Sequence, residues 1–444
     1  MRLYKISTFV SALAFCVAIH AQPNTFKFDF GNGKAETGYT KVTADMVYSK
    51  EKGYGFDFQT EGNVKNFKSK GKDALTSDCV MSDKPFYFSV YLPEGNYNIK
   101  IIFGNAKDSA LTTMRLESRR LLVERLATAP GQFETREFTV NMRVPLIAGT
   151  KDSVKLKQRE WTKLDWDDKL TFEFNDKKPS ICALEITPVT DAITIFLAGN
   201  STVVDQDDEP WASWGQMFPK YFKKGVAISN HAESGLTLGS FLSSKRLDKV
   251  LSMMKAGDYL FIEFGHNDQK EKGPNDGAYK SYTERFKRFI DEVRKKGGTP
   301  VIVTSTNRRS FGPDGKVFNS LGDYPDAARK VAMEEKVAII DLNAMTKVFY
   351  EALGPDRSKK AFVIYPANSF PGQTKDFNDN THFNGYGAYE LAKCIVQGIR
   401  NNHIDIEKYL IDGIPFFDAG APDNPDTFYL PLAPRSSVVK PDGN

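Results

Sequence analysis

Cysteine and histidine are scarce in this sequence, neither sign of charge dominates, and long apolar runs are confined to one place. The four cysteines stand at positions 16, 79, 182 and 394. Their spacing is not that of a metal site. Setting aside Cys16 near the amino terminus leaves three, an odd number for a disulfide framework. An oxidising compartment would permit a Cys79–Cys182 bridge, and the alternative is buried free thiols. Lys plus Arg number 60 against 56 Asp plus Glu, a net charge of +4. That balance argues against a nucleic-acid binder, whose affinity rests on a dense basic surface. Beyond the first residues no apolar run is long enough to span a bilayer. Internal repeats and low-complexity tracts are absent as well, so neither a solenoid nor a disordered linker protein is indicated.

The opening residues, MRLYKISTFVSALAFCVAIHAQPN, carry basic Arg2 and Lys5, an apolar stretch from Thr8 to Ile19 and a small residue, Ala21. This is the pattern of a secretory signal peptide over 1–21, cleaved after Ala21. A lipoprotein anchored through Cys16 is disfavoured by the bulky Phe15 before it. The expectation is an exported protein, secreted or periplasmic.

The 444 residues correspond to about three average domains, or to two if one is a large α/β unit. Two grammars divide the chain. From 24 to 190, short segments such as FKFDFGNG, YGFDF, REFTVNM, KLTFEFND and SICALEITPV alternate apolar and polar residues or cluster aromatics, with Gly, Asn and Pro between them. Such spacing predicts a β-sandwich. The glycines of GNGKAETG at 31–38 do not make a dinucleotide loop, because Glu36 stands where the third glycine belongs and no helical run follows. From 191 to 402, buried-strand candidates at 192–198, 226–229, 258–264, 300–304 and 337–342 alternate with helical patterns near 212–222, 239–255, 281–296, 325–336, 343–352 and 385–401. Alternation of this kind predicts a parallel sheet with helices on both faces. Ligands of such sheets sit beyond the carboxyl ends of the strands. Residues 403–444 are rich in Pro and aromatics without periodicity and are expected to wrap over the surface.

The stretch FLAGNSTVVDQDDEPW at 196–211 places Ser201 two residues past the first of these strands. A serine there is either a cap or turn residue or a nucleophile. A nucleophilic serine needs a base, an orienter for the base and donors for the oxyanion. Of the five histidines, His20 falls in the leader and His403 lies in a charged segment after the last helix, leaving His231, His266 and His382. His382 follows Asp379 by three residues, in a segment expected to be a loop before the final helix. A turn of that length lets the carboxylate reach the imidazole, although a solvated loop has the same composition. Asn267, in GHND after the third strand, is either an oxyanion donor or part of an Asn-Asp turn. Gly235, after the second strand, offers a backbone N–H or is a loop glycine. All four segments fall at one edge of the sheet. Ser201 has no GxSxG around it, and Asp and His three residues apart do not fit the usual α/β-hydrolase arrangement.

GNST at 199–202, Gly235 in its SG turn, GHND at 265–268 and DNTH at 379–382 resemble the four blocks of the SGNH (GDSL-type) hydrolases. Their flanks, FLAGNSTV, ISNHAESGLTLGSF, FIEFGHNDQ and DNTHFNGYGAYELA, are similar to the rhamnogalacturonan acetylesterase branch, carbohydrate esterase family twelve. The resemblance covers roughly 192–402. It implies a flavodoxin-like three-layer catalytic domain, with Ser201 as nucleophile, His382 as base and Asp379 as its orienter. The oxyanion hole would be the N–H groups of Ser201 and Gly235 with the Asn267 side chain. It implies no cofactor or metal. Asn200 departs from the family's usual Asp before the serine. By the same resemblance the first half looks like a galactose-binding-type sandwich.

Further candidates remain open. Trp161 and Trp166 can stack on sugars or fill the core. Trp211 and Trp214 are candidates for the cleft rim, one of them expected to face the core. The DQDDE run at 205–209 is a cation ligand or a solvated loop. His266, Arg308 and Arg309 are candidate substrate contacts, the arginines for a uronate carboxylate or as ordinary surface residues. The expected activity is removal of O-acetyl groups from pectin, most plausibly the rhamnogalacturonan backbone. The alternatives are esterase action on another polysaccharide such as xylan, and a carbohydrate-binding protein on a hydrolase scaffold. The partner is thus an acetylated polysaccharide, and the sequence does not indicate an oligomeric state.

Overall fold

The structure is a computed structural model that describes residues 25–68 and 73–442. The leader predicted over 1–21 lies outside the described residues. In the first half, alternating Phe, Ile and Val side chains give each strand one apolar face, and two sheets, antiparallel except where Thr40–Val42 runs parallel to Phe26–Phe30, bury those faces against each other. One sheet runs Phe133–Met142, Gly95–Gly104, Ser180–Val189, Phe26–Phe30 and Thr40–Val42, with Asp78–Ser82 paired to the start of Ser180–Val189 and Val64–Lys68 paired to Asp78–Ser82. The other runs Tyr54–Asp57, Phe86–Tyr91, Lys169–Asn175, Ala110–Leu116 and Arg120–Thr128. Phe28, Phe30, Phe56 and Phe88 meet between them, Phe88 edge-on to the other three at 5.1–5.5 Å between ring centroids. Edge-on packing suits the quadrupole of the rings and adds to the area they bury.

The second half contains a five-stranded parallel sheet in the order Val226–Asn230, Ile193–Gly199, Tyr259–Glu263, Thr299–Val303, Ala338–Ile340. Its strands are apolar on both faces because helices cover both. Ile195 and Leu197 point to the side of the helices Leu342–Arg357 and Gly385–Asn401. Phe196 and Ala198 point to the side of Arg246–Met253, Thr283–Lys295 and Tyr324–Glu335. The strand order reverses at Ile193–Gly199, so its carboxyl end, where Ser201 follows, opens at the switch point.

Three local features depart from the sequence-based expectation. The helix expected over 212–222 is one α-turn, Trp214–Met217, and a 3₁₀ turn, Pro219–Tyr221. That over 239–255 breaks in two at Lys245, whose φ is 61°. The segment with Asp379 and His382 is a strand, Phe377–Phe383, paired antiparallel with Phe362–Tyr365. The tail from 403 has one short 3₁₀ turn, Asp405–Tyr409, and otherwise runs irregularly over both halves.

The two halves meet through buried ion pairs. Arg120 of the sandwich donates to Asp205 and Asp165, both at 2.6 Å. Arg119 pairs with Glu209 at 2.5 Å, and Lys163 with Glu233 at 2.9 Å and Asp207 at 3.3 Å. The DQDDE run is therefore neither a solvated loop nor a cation ligand: the buried carboxylates of Asp205 and Glu209 and the partly buried one of Asp207 are neutralised by the first half. No group of His, Cys, Asp and Glu among the described residues is arranged to hold a metal ion. Cys79 and Cys182 are buried free thiols. No helix among the described residues is long and apolar enough to cross a membrane.

Candidate active site

Ser201 caps no helix. The turn it stands in is closed by the Asn200 carbonyl, which accepts from the N–H groups of Val203 and Val204 at 3.0 Å. The Asn200 side chain accepts from the N–H of Thr202 at 3.1 Å, and its Oδ1 lies 3.0 Å from the Thr202 hydroxyl oxygen. The Ser201 carbonyl accepts from Gln206 Nε2 at 3.1 Å. Behind the turn, Glu263 accepts from Thr202 Oγ1 at 2.7 Å and from Trp214 Nε1 at 2.6 Å. Burial raises the Glu263 carboxyl to about 7 against the pull of those two donors. With both sides of the turn held, the Ser201 hydroxyl is aimed outward from the sheet edge.

Ser201 Oγ is 2.8 Å from Nε2 of His382, and His382 Nδ1 is 2.7 Å from Oδ2 of Asp379. The other Asp379 oxygen accepts the N–H of Thr381 at 2.8 Å and of His382 at 3.0 Å. Burial, the largest influence on this carboxyl, pushes it up. The His382 ring and the two backbone donors together outweigh that, and Asp379 is held below the usual carboxylate range. An ionised Asp379 fixes the proton on Nδ1, which leaves the Nε2 lone pair facing the serine hydroxyl. This arrangement can take a proton from Ser201 and stabilise the imidazolium that results.

Three candidate donors for a developing oxyanion, at Ser201, Gly235 and Asn267, follow the strands Ile193–Gly199, Val226–Asn230 and Tyr259–Glu263. Among the described residues, the N–H groups of Ser201 and Gly235 meet no protein acceptor. Gly235 has φ +79°, a conformation that favours glycine. Asn267 donates one amide hydrogen to the Leu236 carbonyl at 3.1 Å, and its Oδ1 accepts from Lys270 at 3.3 Å. Its orientation is thus fixed and one N–H remains.

The remaining candidates divide. Trp211 packs edge-on against the His382 ring at 5.8 Å and donates its indole N–H to the Ser437 carbonyl at 3.3 Å. Trp214 is fully buried beneath the nucleophile turn, and so is not a rim residue. His266 is likewise buried, its ring driven well towards the neutral form by burial and by the charge of Arg308, so it does not face the cleft surface. Arg309 is not free for a substrate either. It donates to Ser358 Oγ at 3.0 Å, to Asn380 Oδ1 at 2.8 Å and to the Pro355 carbonyl, and so braces the hairpin that carries Asp379 and His382. Arg308 is half-buried, with only long contacts of 3.4 Å to the carbonyls of Ser320 and His266. Trp166 is buried between Arg143, 4.3 Å from its ring centroid, and His231, whereas Trp161 is 70% exposed.

Comparison with known proteins matches each half of the chain to a family model. Residues 191–388 match the model of the GDSL-like lipase/acylhydrolase family. Residues 26–117 match the galactose-binding domain-like model of β-agarase/YXIM esterase-like proteins. The rhamnogalacturonan acetylesterase RhgT of Bacillus subtilis is 42% identical over 221 residues, 49% of this chain and 94% of its own length. The chain belongs to the GDSL-like lipase/acylhydrolase family. This hydrolase is also 27% identical over 421 residues to the uncharacterized esterase YxiM of Bacillus subtilis, 91% of this chain and 99% of the relative. The crystal structure of YXIM from that organism overlays with a TM-score of 0.45 at 26% identity, covering 86% of this chain and 99% of the other.

Some residues that shape the site of this GDSL-like hydrolase carried no legible signal. Glu263 and Gln206 brace the nucleophile turn from positions that read as an ordinary strand end and loop. Lys440, in the aperiodic tail, stands 3.3 Å from Asp379 Oδ2.

Proposed function

We propose that the protein is an exported carbohydrate O-acetylesterase whose substrate is the acetylated rhamnogalacturonan backbone of pectin. The observation that carries the reading is the unbroken hydrogen-bonded line from Ser201 through His382 to Asp379. The substrate assignment is supported by relatives named as rhamnogalacturonan acetylesterases, which this chain matches over 91–97% of their length at 26–42% identity. Export is supported by the leader pattern at 1–21.

In this mechanism Ser201 Oγ attacks the acetyl carbonyl while His382 Nε2 takes its proton. The tetrahedral oxyanion is held by the N–H groups of Ser201 and Gly235 and by the free amide hydrogen of Asn267. As the intermediate collapses, the imidazolium gives its proton to the departing sugar oxygen, leaving an acetyl ester on Ser201. Water then attacks that ester with His382 as base, and acetate leaves with the serine hydroxyl restored. Asp379 orients the ring throughout and is not itself protonated.

Acetate release from a panel of acetylated rhamnogalacturonan, homogalacturonan and xylan, by wild type and Ser201→Ala, tests both parts. Equal release by the two proteins would remove Ser201 from the chemistry, and a clear preference for xylan would replace the substrate. An intact wild type that neither releases acetate nor is labelled by a serine-directed phosphonate would make this a binding protein.

A further inference from the structure

The last described residues of the tail lie across the mouth of the site. Ser436 forms a bridge with Glu209, and Ser437 N–H donates to the Glu209 carbonyl at 2.9 Å. The chain then passes Trp211 and brings Lys440 to Asp379. It then reaches Asp442, whose carboxylate is held by two cations of the sandwich half: Lys157 Nζ at 3.1 Å and Arg159 Nη1 at 3.9 Å. Lys157 is positioned by the Ser234 carbonyl at 2.6 Å, and Arg159 by Glu233 at 3.3 Å. Both anchors immediately precede Gly235. A methyl group built on Gly235 would come within 3.0 Å of Lys157 Nζ and 2.9 Å of Asp442 Cβ. A carboxylate therefore already sits beside a candidate oxyanion donor, gripped by charges from outside the catalytic fold.

We infer that Lys157 and Arg159 form a carboxylate-binding subsite of the cleft, which the protein's own Asp442 fills until a uronate of the substrate takes its place. This rests on the proposed polysaccharide esterase activity and adds to it a requirement for acidic sugars near the acetylated one. The occupant is suited to displacement. Asp442 is about half exposed and solvent reaches about one-third of Arg159 and Lys157, so water and salt weaken these pairs. Val438 and Val439, just upstream, are 43% and 72% exposed and anchor the segment to little. A polymer with many carboxylates competes well against a single tethered one.

The test uses full-length protein and a neutral aryl acetate as reporter of acylation, with an unacetylated oligogalacturonide as competitor and a neutral xylo-oligosaccharide as control. In wild type the acidic oligosaccharide inhibits and the neutral one does not. Asp442→Asn lowers the inhibition constant of the acidic competitor at least fivefold, and Arg159→Ala with Lys157→Ala raises it at least tenfold. Arg159→Lys with Lys157→Arg restores most of the affinity. A chain ending at Pro441, which keeps the bridge to Glu209 and Lys440 beside Asp379, behaves as Asp442→Asn does. Equal inhibition constants in all variants would overturn the subsite. Absence of acetate release by wild type from every acetylated polysaccharide would instead defeat the esterase reading, while the aryl-ester competition still reports on the subsite.

Discussion

Asn267 makes a bond to the Leu236 carbonyl that fixes which way its amide points, leaving one hydrogen for the proposed oxyanion contact. Removing one such donor typically lowers turnover by about 10² to 10³. Asn267→Ala is expected to show that loss in kcat with an unchanged unfolding temperature, measured on aryl acetate and by calorimetry. Glu263 gives a second residue-level prediction. Its carboxyl is raised to about 7 in the folded protein by burial, against about 4.3 in an unfolded chain. Between these values the folded state binds more protons than the unfolded state, so the contribution to stability is full below about pH 4 and is lost as pH rises through 7. Glu263→Gln should remove that slope, a difference on the order of 3 kcal/mol across the window, read from urea midpoints at several pH values. Ser201, Asp379 and His382, which the structure brings into one hydrogen-bonded line, were legible in the sequence because they stand among turn-forming residues, in GNST after a strand and DNTH before the final helix. The supporting residues were not: nothing in FIEF marks the glutamate as the floor of a serine turn.

At the scale of elements, the hairpin Phe362–Tyr365 and Phe377–Phe383 governs the site, because it fixes Asp379 and His382 in one rigid strand. Its polar DNTH core reads as a loop, since Asn and Asp are depleted in strands. Pairing with the short apolar FVIY segment and the brace from Arg309 override that local preference. Arg309→Ala should accordingly lower kcat on neutral and acidic esters alike, by about tenfold for a sub-ångström loosening of the base. A selective loss on acidic esters would return Arg309 to the role of a uronate contact. The five parallel strands were legible because runs such as YLFIE are apolar on both faces. The helix broken at Lys245 was not, because a single left-handed residue leaves no mark in the pattern of apolar positions.

The whole molecule is tied by charges that the sequence separates by tens of residues, which is why the acidic run at 205–209 reads as a solvated loop when taken alone. Arg120 lies between Asp165 and Asp205, all three buried. Removing one member of such a set leaves an uncompensated charge, a loss of about 3–5 kcal/mol. Arg120→Ala should destabilise by that order in chemical denaturation and depress turnover with it, because Asp205 stands four residues from Ser201. A shift below 1 kcal/mol would mean that this buried set contributes little to holding the two halves together.

The joint has a consequence for how such a chain can change over time. Many appended sugar-binding modules can be gained, lost or traded between enzymes, since a linker joins them to an otherwise self-sufficient partner. Here the sandwich supplies counter-ions to the very loop that presents the serine, so exchange for a foreign module would strand acidic groups in a dry interior. Lineages built this way should inherit both halves as one unit, and engineers seeking a minimal catalyst would have to redesign that loop before trimming the rest.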